Sequence, residues 1–576
     1  MGTLSCSFLI PRFPHFKVSS IVIDKKGPQL TKTRSANFSF TKFQPIKKLI
    51  TYTKNLTHKT KSPAIIFQSL DDFICAFLDD SPLRSAIDPK QVLAGNFAPV
   101  DELPPTACDV VAGSLPSCLD GAYIRNGPNP QFIPRGPYHL FDGDGMLHSI
   151  KISRGKATFC SRYVKTYKYF VERKMGYPIF PSVFSSFGNG LCASMARFFL
   201  TFSQTLGRHF SPLTNGFGQA NTSLGLFCGK LFALCESDLP YAVKLTPDGD
   251  IITLGRHNFD DKSFSNMTAH PKIDPQTGEV FAFSYNIMRP FLTYFRISSD
   301  RRKQKEVPIF SIKRASFIHD FAVTENYAIF PDMQIVLDPM EILRGRSPVG
   351  IDSSKTPRLG IIPRFANDES EMCWIDVPGL NMLHAVNAWE EDDKIVIVAS
   401  NVLSVEHALD QMNLRRLSLE KIIVDAKAKK VVNRYPVSVR SLDLGVINPV
   451  YAGRRTRYVY ATLTDQLPKA AGVAKLDLSL STIDCDDCVV ASRIYGPGCY
   501  GGEPFFVPRE HDNPEVEEDD GYLVTYVHNE NTEKSKFIVM DAKSPNLDIV
   551  ADVMLPGRVP YGFHGIFVKE NDLNVL

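Results

Sequence analysis

Short apolar runs separated by turn sequences dominate the chain from about residue 90 onward. The runs are rich in β-branched and aromatic residues, and stretches such as FDGDG (141–145) and PDGD (247–250) separate them, which is typical of strands joined by tight turns. The clearest runs are residues 231–235, 280–284, 394–399, 457–463, 522–527 and 536–540. The pattern predicts an all-β architecture, either a sandwich, a barrel or a propeller. Residues 91–576 are too many for a single sandwich, but no clean repeat fixes a number of propeller blades.

Two stretches have helical rather than strand periodicity. Residues 70–78 and residues 191–206 each place apolar side chains three or four positions apart, on one face of a helix. The first stripe is Leu70, Phe73, Ile74, Phe77 and Leu78, and the second is Leu191, Met195, Phe198, Phe199, Phe202 and Leu206. The other face of the second helix is mostly Ser, Thr and Gln with one Arg. Such a stripe packs against a core or inserts into a membrane surface, and the pattern leaves both alternatives open.

Positive charge is concentrated at the beginning of the chain. Residues 1–70 contain twelve Lys or Arg and a single acid, Asp24, whereas the whole chain has a net charge of only +3, so the remainder is mildly acidic. An acidic body argues against nucleic acid as the main partner. A basic segment rich in Ser, Thr and Lys is typical of an organelle transit peptide, and we predict a plastid transit peptide over residues 1–65, followed by an amphipathic segment over 66–90. The alternative is a basic tail without a targeting role.

Four of the thirteen histidines lie in similar settings, each beside an apolar or aromatic strand-like run. They are His270, His319, His384 and His564. Their spacings of 49, 65 and 180 residues are near one, one and three blade lengths, so the four side chains could converge on the axis of a propeller. Glu236 and Glu503 lie in comparable positions and could accept hydrogen bonds from metal-bound imidazoles. Equally, the pattern is compatible with four unrelated buried histidines and two surface carboxylates.

Six longer motifs carry a resemblance to a known family. They are YIRNGPNP (123–130), LFDGDGMLHSI (140–150), MTAHPKIDPQTGE (267–279), FIHDFAVTENYAIF (317–330), GPGCYGGEPFFVPRE (496–510) and PYGFHGIFV (560–568). These motifs closely resemble the carotenoid cleavage dioxygenases, and the resemblance covers roughly residues 65–576. The sequences GNFAPV at 95–100 and MDAKSPNLDIVA at 540–551 most resemble the fourth class of the plant enzymes.

The resemblance implies a specific fold and metal centre. The fold it implies is a seven-bladed β-propeller over residues 91–576, with Fe(II) on the axis and a helical, membrane-facing cap that includes residues 191–206. It implies that His270, His319, His384 and His564 bind the iron and that Glu236, Asp443 and Glu503 support those ligands. Epoxycarotenoid-cleaving relatives have Glu in place of Asp443; because Asp is one methylene shorter, its contact with a histidine is either direct or through water. Open metal positions would bind O2, and 2-oxoglutarate is not implied.

The function implied is oxidative cleavage of a carotenoid or apocarotenoid at the 9,10 or 9′,10′ bond, giving an ionone-type ketone and an aldehyde. Cleavage at 7,8 or 7′,8′, epoxycarotenoid cleavage, retinoid isomerohydrolysis and a carotenoid-binding propeller without activity are the alternatives. The presence of all four histidines favours an enzyme over a binding protein. A carotenoid is too apolar to diffuse through water, so the enzyme is expected at a lipid surface in the plastid, either a plastoglobule or the thylakoid. The sequence leaves the oligomeric state open.

Overall fold

The computed structural model describes residues 63–206, 211–261, 264–482, 487–510 and 516–575. Nearly all of the predicted transit segment lies outside these residues, so its role stays a prediction. β-Strand is the main regular structure of the described part, as the short apolar runs separated by turn sequences predicted. Its α-helices are α1 (Pro63–Phe77), α2 (Pro89–Val92), α3 (Tyr167–Met175), α4 (Leu191–Leu206), α5 (Pro212–Asn215) and α6 (Glu570–Val575).

The β architecture begins with four strands near the start of the described chain. They are β1 (Leu103–Gly113), β2 (Gly121–Pro128), β3 (Gly145–Ser153) and β4 (Lys156–Tyr163). β3 pairs with both β2 and β4 in antiparallel fashion. Arg154 and Gly155 form the two-residue turn between β3 and β4, with φ values of 51° and 73°. Two successive positive φ values match the right-handed twist of a hairpin, which explains the tight connection.

Five four-stranded antiparallel sheets follow along the chain. The first two contain β5 (Ser223–Phe227), β6 (Lys230–Leu234), β7 (Tyr241–Leu245) and β8 (Ile251–Arg256), then β9 (Lys272–Ile273), β10 (Val280–Tyr285), β11 (Leu292–Ile297) and β12 (Val307–Ile309). The third contains β13 (Ala322–Val323), β14 (Tyr327–Asp332), β17 (Arg358–Pro363) and β18 (Cys373–Asp376), and is interrupted by a hairpin of β15 (Ile335–Leu337) and β16 (Val349–Ile351). The fourth and fifth contain β19 (Met382–Glu391), β20 (Lys394–Val402), β21 (Leu417–Asp425) and β22 (Lys430–Pro436), then β23 (Leu442–Val446), β24 (Tyr458–Leu463), β25 (Gly472–Asp477) and β26 (Val489–Ile494). The first strands of neighbouring sheets, such as β13, β19 and β23, contact one another, which gives a propeller-like arrangement.

The last strands of the chain join the first four in one ten-stranded sheet. They are β27 (Cys499–Gly501), β28 (Phe505–Pro508), β29 (Gly521–Asn529), β30 (Lys534–Asp541), β31 (Ile549–Met554) and β32 (Gly565–Lys569). The sheet order is β27-β29-β30-β31-β1-β4-β3-β2-β32, and β28 pairs with β29. β1 makes this continuity possible, because its first half pairs with β4 and its second half pairs with β31.

The expectation of seven blades is therefore wrong. The described chain has five four-stranded sheets and one continuous ten-stranded sheet that acts as a half-barrel. Blade counts inferred from spacing and resemblance treat each group of strands as separate, whereas the pairing of β1 with β31 unites groups from the two ends of the chain. The expectation of a mainly β fold remains correct.

Apolar side chains fill the spaces between neighbouring sheets. One core cluster, for example, packs Trp389 and Val398 of the fourth sheet against Leu442 and Val459 of the fifth, and all four are at most 3% exposed. Helices α1 and α4 contact each other outside the sheets, and α4 also contacts the 3₁₀ segment Pro339–Arg344. Within the described residues no helix has both the length and the apolar character needed to span a bilayer.

Candidate metal centre

Four separate sheets deliver the four histidines that the sequence singled out. His270 lies two residues before β9, His319 lies three residues before β13, and His384 is the third residue of β19. His564 immediately precedes β32 in the ten-stranded sheet. One ring nitrogen from each lies within 4.8 Å of those from the other three. Each of the four histidines thus lies near the beginning of a strand, and this shared position brings together residues as far apart as 270 and 564.

Irregular strand pairing directs two side chains of the site inward. The pairing of β19 with β20 shifts between Met382 and His384. The pairing of β23 with β24 shifts after Asp443, where Leu444 adopts a positive φ of 50°. Such bulges turn a side chain away from the regular alternation of a strand, and they are common beside functional sites.

Three carboxylates, of which Asp443 and Glu503 are buried and Glu236 is half-buried, each contact one imidazole directly. Glu236 Oε1 lies 2.6 Å from His319 Nδ1, and Glu503 Oε1 lies 2.9 Å from His564 Nδ1. Asp443 Oδ1 lies 2.8 Å from His384 Nδ1, so its shorter side chain reaches the ring without an intervening water. Each carboxylate can accept the Nδ1–H, which leaves the Nε2 lone pair of that imidazole facing the centre of the cluster.

Additional donors hold two of these carboxylates in place. The Ser400 hydroxyl donates to Asp443 Oδ1 at 2.7 Å, and the Gly565 N–H donates to the second oxygen of Glu503 at 3.0 Å. His270 differs from the other three, because no carboxylate is in contact with its ring among the described residues; its own N–H donates to the Thr268 hydroxyl. The site therefore has three oriented imidazoles and one held through its backbone.

Burial and neighbouring rings favour neutral imidazole at two positions. Burial, followed by the proximity of the other three histidines, holds the pKa of His270 well below its ordinary value. Burial also lowers the pKa of His384, although Asp443 opposes this effect. At His564 burial would again lower the pKa, but the interaction with Glu503 outweighs it and raises the pKa. Neutral imidazole is the form that binds a metal ion, so the environment of His270 and His384 suits a ligand.

The donor set fits one metal ion such as iron(II). Nitrogens bound at right angles about 2.1 Å from a common ion lie about 3 Å apart, and the Nε2 atoms of His270 and His319 are 3.1 Å apart. Imidazole is a ligand suited to iron, zinc and copper. Four neutral ligands leave the charge of a divalent ion uncompensated, and the three carboxylates supply negative charge just outside the ligand set.

A row of aromatic rings beside the cluster was not anticipated from the sequence. Phe317 stacks parallel to His319 with ring centres 6.4 Å apart, and its ring lies 5.9 Å from that of Phe184. Phe141 continues the row to Phe563, the residue before His564. These residues lie far apart in the chain, and the only signal for some of them was their position inside the family-like motifs. The row gives the metal centre an apolar, aromatic flank.

Helix α4 presents its apolar stripe to the outside. Leu191, Phe198, Phe199 and Phe202 are between 41% and 59% exposed, and Met195 is half-buried. The side chain of Leu206 lies outside the described residues. The buried face of the helix is polar and contains Ser194, Arg197 and Gln204. Arg197 forms an ion pair with Asp79, which follows α1. The helix therefore has the reverse of the arrangement usual for a helix in water, because its polar residues are buried and its aromatic residues are exposed.

Comparison with known proteins places the chain in a family. Residues 97–569 match the model of the RPE65 family, described as retinal pigment epithelial membrane protein. A protein of Arabidopsis thaliana named probable carotenoid cleavage dioxygenase 4, chloroplastic, is 55% identical over 97% of this chain and 95% of its own length. A chloroplastic 9-cis-epoxycarotenoid dioxygenase of Oryza sativa is 54% identical over 89% of this chain and 81% of its own length.

A solved structure supports the same placement. A variant of the Synechocystis apocarotenoid oxygenase superposes with a TM-score of 0.68 at 25% identity, covering 84% of this chain and 99% of its own. The chain belongs to the RPE65 and carotenoid cleavage dioxygenase family. Within that family it is an oxygenase, similar to the carotenoid cleavage dioxygenases of plants.

Proposed function

We propose that this chain is a non-haem iron(II) dioxygenase that splits a double bond of a carotenoid or apocarotenoid with molecular oxygen. The observation that carries the proposal is the convergence of His270, His319, His384 and His564 from four sheets, with three of the rings oriented by carboxylates. These four residues would hold the iron, one ion per chain. When bound, iron(II) supplies positions at which O2 is activated beside the substrate. Both oxygen atoms then end in the two carbonyl products, a ketone and an aldehyde.

The protein residues around the ligands have four tasks in this reaction. The carboxylates of Glu236, Asp443 and Glu503 fix the imidazole tautomers and offset the metal charge. The aromatic row that includes Phe317 and Phe563 would hold the polyene by shape next to the metal, since an apolar flank matches an apolar substrate. The same flank excludes water from the site.

The iron assignment is tested by single substitutions of two ligands. His319→Ala or His564→Ala should abolish cleavage and lower the bound iron measured by elemental analysis, while circular dichroism remains that of a folded β protein. His407→Ala, a substitution of a half-buried histidine outside the cluster, is the matched control and should retain both. Full turnover by either ligand variant would refute the assignment.

The preferred bond is proposed to be 9,10 or 9′,10′, on the basis of the resemblance to the fourth plant class. Epoxycarotenoid cleavage is the second candidate, because a relative with that name is 54% identical. Mass spectrometry of the products from a panel of carotenes, xanthophylls and epoxycarotenoids decides between them. An ionone-type ketone supports the first candidate, and selective turnover of an epoxycarotenoid supports the second.

The enzyme is proposed to act at a lipid surface. Transfer of a carotenoid of about 40 carbons to water would cost on the order of 30 kcal/mol, an upper limit at roughly 0.8 kcal/mol per CH2-sized group. The substrate must therefore pass directly from lipid into the protein. The exposed residues Leu191, Phe198, Phe199 and Phe202 of α4 offer an apolar surface for that contact, and with Met195 and Leu206 they are the proposed docking stripe.

The compartment is proposed to be the plastid, at the surface of plastoglobules or thylakoids. Support comes from the basic segment 1–70 and from relatives that are named chloroplastic. A fusion of residues 1–70 to a fluorescent protein should enter plastids and lose roughly the first 35–65 residues, because the basic, acid-poor composition is that of a transit segment. A uniformly cytosolic signal would reject this proposal.

A further inference from the structure

Asp320 directly follows His319 and has contacts unlike those of the three carboxylates described above. It is 2% exposed, and no hydrogen bond joins its carboxylate to an imidazole within the described part of the chain. Oδ2 accepts the Ala385 N–H at 2.8 Å, and Oδ1 accepts the Phe321 N–H at 2.7 Å. Oδ1 also lies 2.8 Å from Lys272 Nζ in an ion pair. Every partner of this carboxylate is therefore backbone or a lysine.

These partners belong to the segments that carry three of the four histidines. Ala385 is the residue after His384, and Lys272 lies two residues after His270. The three segments start strands in the second, third and fourth four-stranded sheets. Lys272 Nζ also approaches the Ala385 carbonyl at 3.4 Å, so the His384 segment is held on both sides of Ala385, at its N–H by Asp320 and at its carbonyl by Lys272. One carboxylate thus connects three sheets at the points where their histidines emerge.

Hydrophobic packing does not fill the space behind these segments. A pocket of about 720 Å³ that is partly open to solvent lies there, and Lys272, Ala385 and Val386 form part of its wall together with Ala322 and Arg454. Residues that border a cavity lack neighbours on that side, so packing alone fixes their spacing less well than in a filled core. A buried carboxylate that binds an N–H and a lysine can supply the missing constraint, since charge-assisted hydrogen bonds are short and directional.

We propose that Asp320 is a positioning residue that holds the His270, His319 and His384 segments at the spacing a single metal ion requires. The inference rests on the proposed metal centre and adds a second layer to it. Glu236, Asp443 and Glu503 orient rings, whereas Asp320 sets the distances between the backbones that bear the rings. Lys272 of the His270 segment completes the arrangement, because it neutralises the buried carboxylate of Asp320 and contacts the Ala385 carbonyl of the His384 segment.

Asp320→Asn tests the proposal with minimal change of shape. The amide oxygen still accepts one N–H, but the ion pair with Lys272 is lost. The matched control is Asp332→Asn, because Asp332 is also 2% exposed and pairs with Lys355 and Arg358 in the third sheet. It accepts a hydrogen bond from the Ser316 hydroxyl, three residues before His319, but it does not join that segment to the His270 or His384 segment. For each variant we would measure the affinity of the apoprotein for cobalt(II) by chelator competition, the ligand-field spectrum of the cobalt(II) form, and the melting temperature without metal.

Asp320→Asn is expected to lower cobalt(II) affinity about 10- to 100-fold and to alter the ligand-field bands. Asp332→Asn should lower the melting temperature and leave affinity and spectrum unchanged. If Asp320→Asn binds cobalt(II) as the wild type does and only its melting temperature falls, Asp320 is an ordinary structural residue and the proposal is overturned. Failure of the wild-type protein to bind any metal would instead refute the proposed function, so the two failures are distinguishable.

Asp320→Asn has two effects, loss of the link between the segments and an unpaired positive charge on Lys272. A double variant distinguishes them. In Lys272→Met combined with Asp320→Asn, no lysine charge remains beside the segments. Affinity that stays low supports the link between segments, and recovery to the wild-type value overturns it. Should Asp320→Asn fail to fold, Lys272→Met alone is measured, and unchanged cobalt(II) affinity and spectrum in that variant count against the proposal.

Discussion

Three of the four clustered imidazoles donate to separate carboxylates, and His270 is the exception. Without a carboxylate partner, the tautomer of this ring is not fixed. Burial and the three neighbouring rings nevertheless lower the pKa of His270, and this keeps the ring neutral. The opposite applies to His564, whose pKa Glu503 raises. The pKa of His270 is therefore lowered by the rest of the cluster, whereas that of His564 is dominated by its own carboxylate partner.

A histidine outside the cluster provides a pH-dependent prediction. His148 of β3 is 4% exposed, and its Nε2 has no hydrogen-bond partner in the part of the chain that the structure describes. Burial, with smaller effects of Arg125 and Arg558, lowers its pKa to about 3. Between that value and the ordinary 6.5 the unfolded chain binds a proton that the folded chain does not. Stability is thus complete above pH 6.5 and decreases as the pH falls, by about 2 kcal/mol from pH 7 to pH 5.

Substitution of this histidine should remove the corresponding pH dependence. His148→Leu is expected to flatten the pH profile of urea unfolding between pH 7 and pH 5 relative to the wild type. His407→Leu, a change at a more exposed ring, serves as the control and should leave the profile unchanged. Equal slopes for wild type and His148→Leu would contradict the assignment of this buried group.

Among the elements, helix α4 has an arrangement that a water-exposed helix rarely adopts. Its aromatic residues lie outside while Arg197, paired with Asp79, lies 7% exposed beneath them. Burying that ion pair and exposing Phe198, Phe199 and Phe202 is unfavourable in water, and it becomes favourable when acyl chains cover the aromatic face. Exposure thus argues against the alternative in which this stripe packs into the core.

Two negative charges introduced on the aromatic face of α4 should weaken lipid binding without impairing the cleavage reaction itself. Phe198→Glu with Phe202→Glu is expected to weaken liposome binding by a few kcal/mol (order of magnitude) and to reduce cleavage of long carotenoids in liposomes steeply. Cleavage of a short apocarotenoid in detergent micelles should fall much less, because the metal centre is unchanged. Ile252→Glu with Leu254→Glu, on the exposed face of β8, is a control of equal charge. Equal losses in both assays would mean that the stripe supports the fold, and no loss in either would place docking elsewhere, with α1 the next candidate.

At the scale of the whole molecule, the four clustered histidines come from four different sheets, one from each. A metal ion that binds all four would therefore tie the sheets together across the axis. The ten-stranded sheet contributes His564 at its edge strand β32, which pairs with β2. Metal binding by these four residues would thus be coupled to the association of the sheets.

This coupling predicts that metal stabilises the native protein. Iron(II) at one hundred times its dissociation constant should raise the unfolding free energy by about 2.7 kcal/mol, because only the folded chain brings the four ligands together. Melting curves with iron(II) and with a chelator would measure the shift. His564→Ala should lose it, whereas His407→Ala should keep it. Identical melting of the wild type in both conditions would show that the metal does not link the sheets.

The sequence by itself determined the β class, the helical periodicity of α4 and the family. Short apolar runs, turn sequences and helical stripes depend on residues a few positions apart, and so they are readable locally. The four histidines were recognisable through motifs such as FIHDFAV and PYGFHGIF, although lone histidines carry little information. Their assignment as iron ligands stays a prediction, together with the supporting carboxylates and the docking stripe.

Only the tertiary structure decided how these elements combine. The ten-stranded sheet depends on the pairing of Asp109 with Met554, at opposite ends of the chain, and no local pattern encodes a pairing of that kind. The direct contact of Asp443 with His384 depends on the bulge at Leu444, and the links of Asp320 depend on three sheets meeting. Side-chain identity and periodicity are properties of neighbours in sequence, whereas these contacts form only when distant strands converge on one axis.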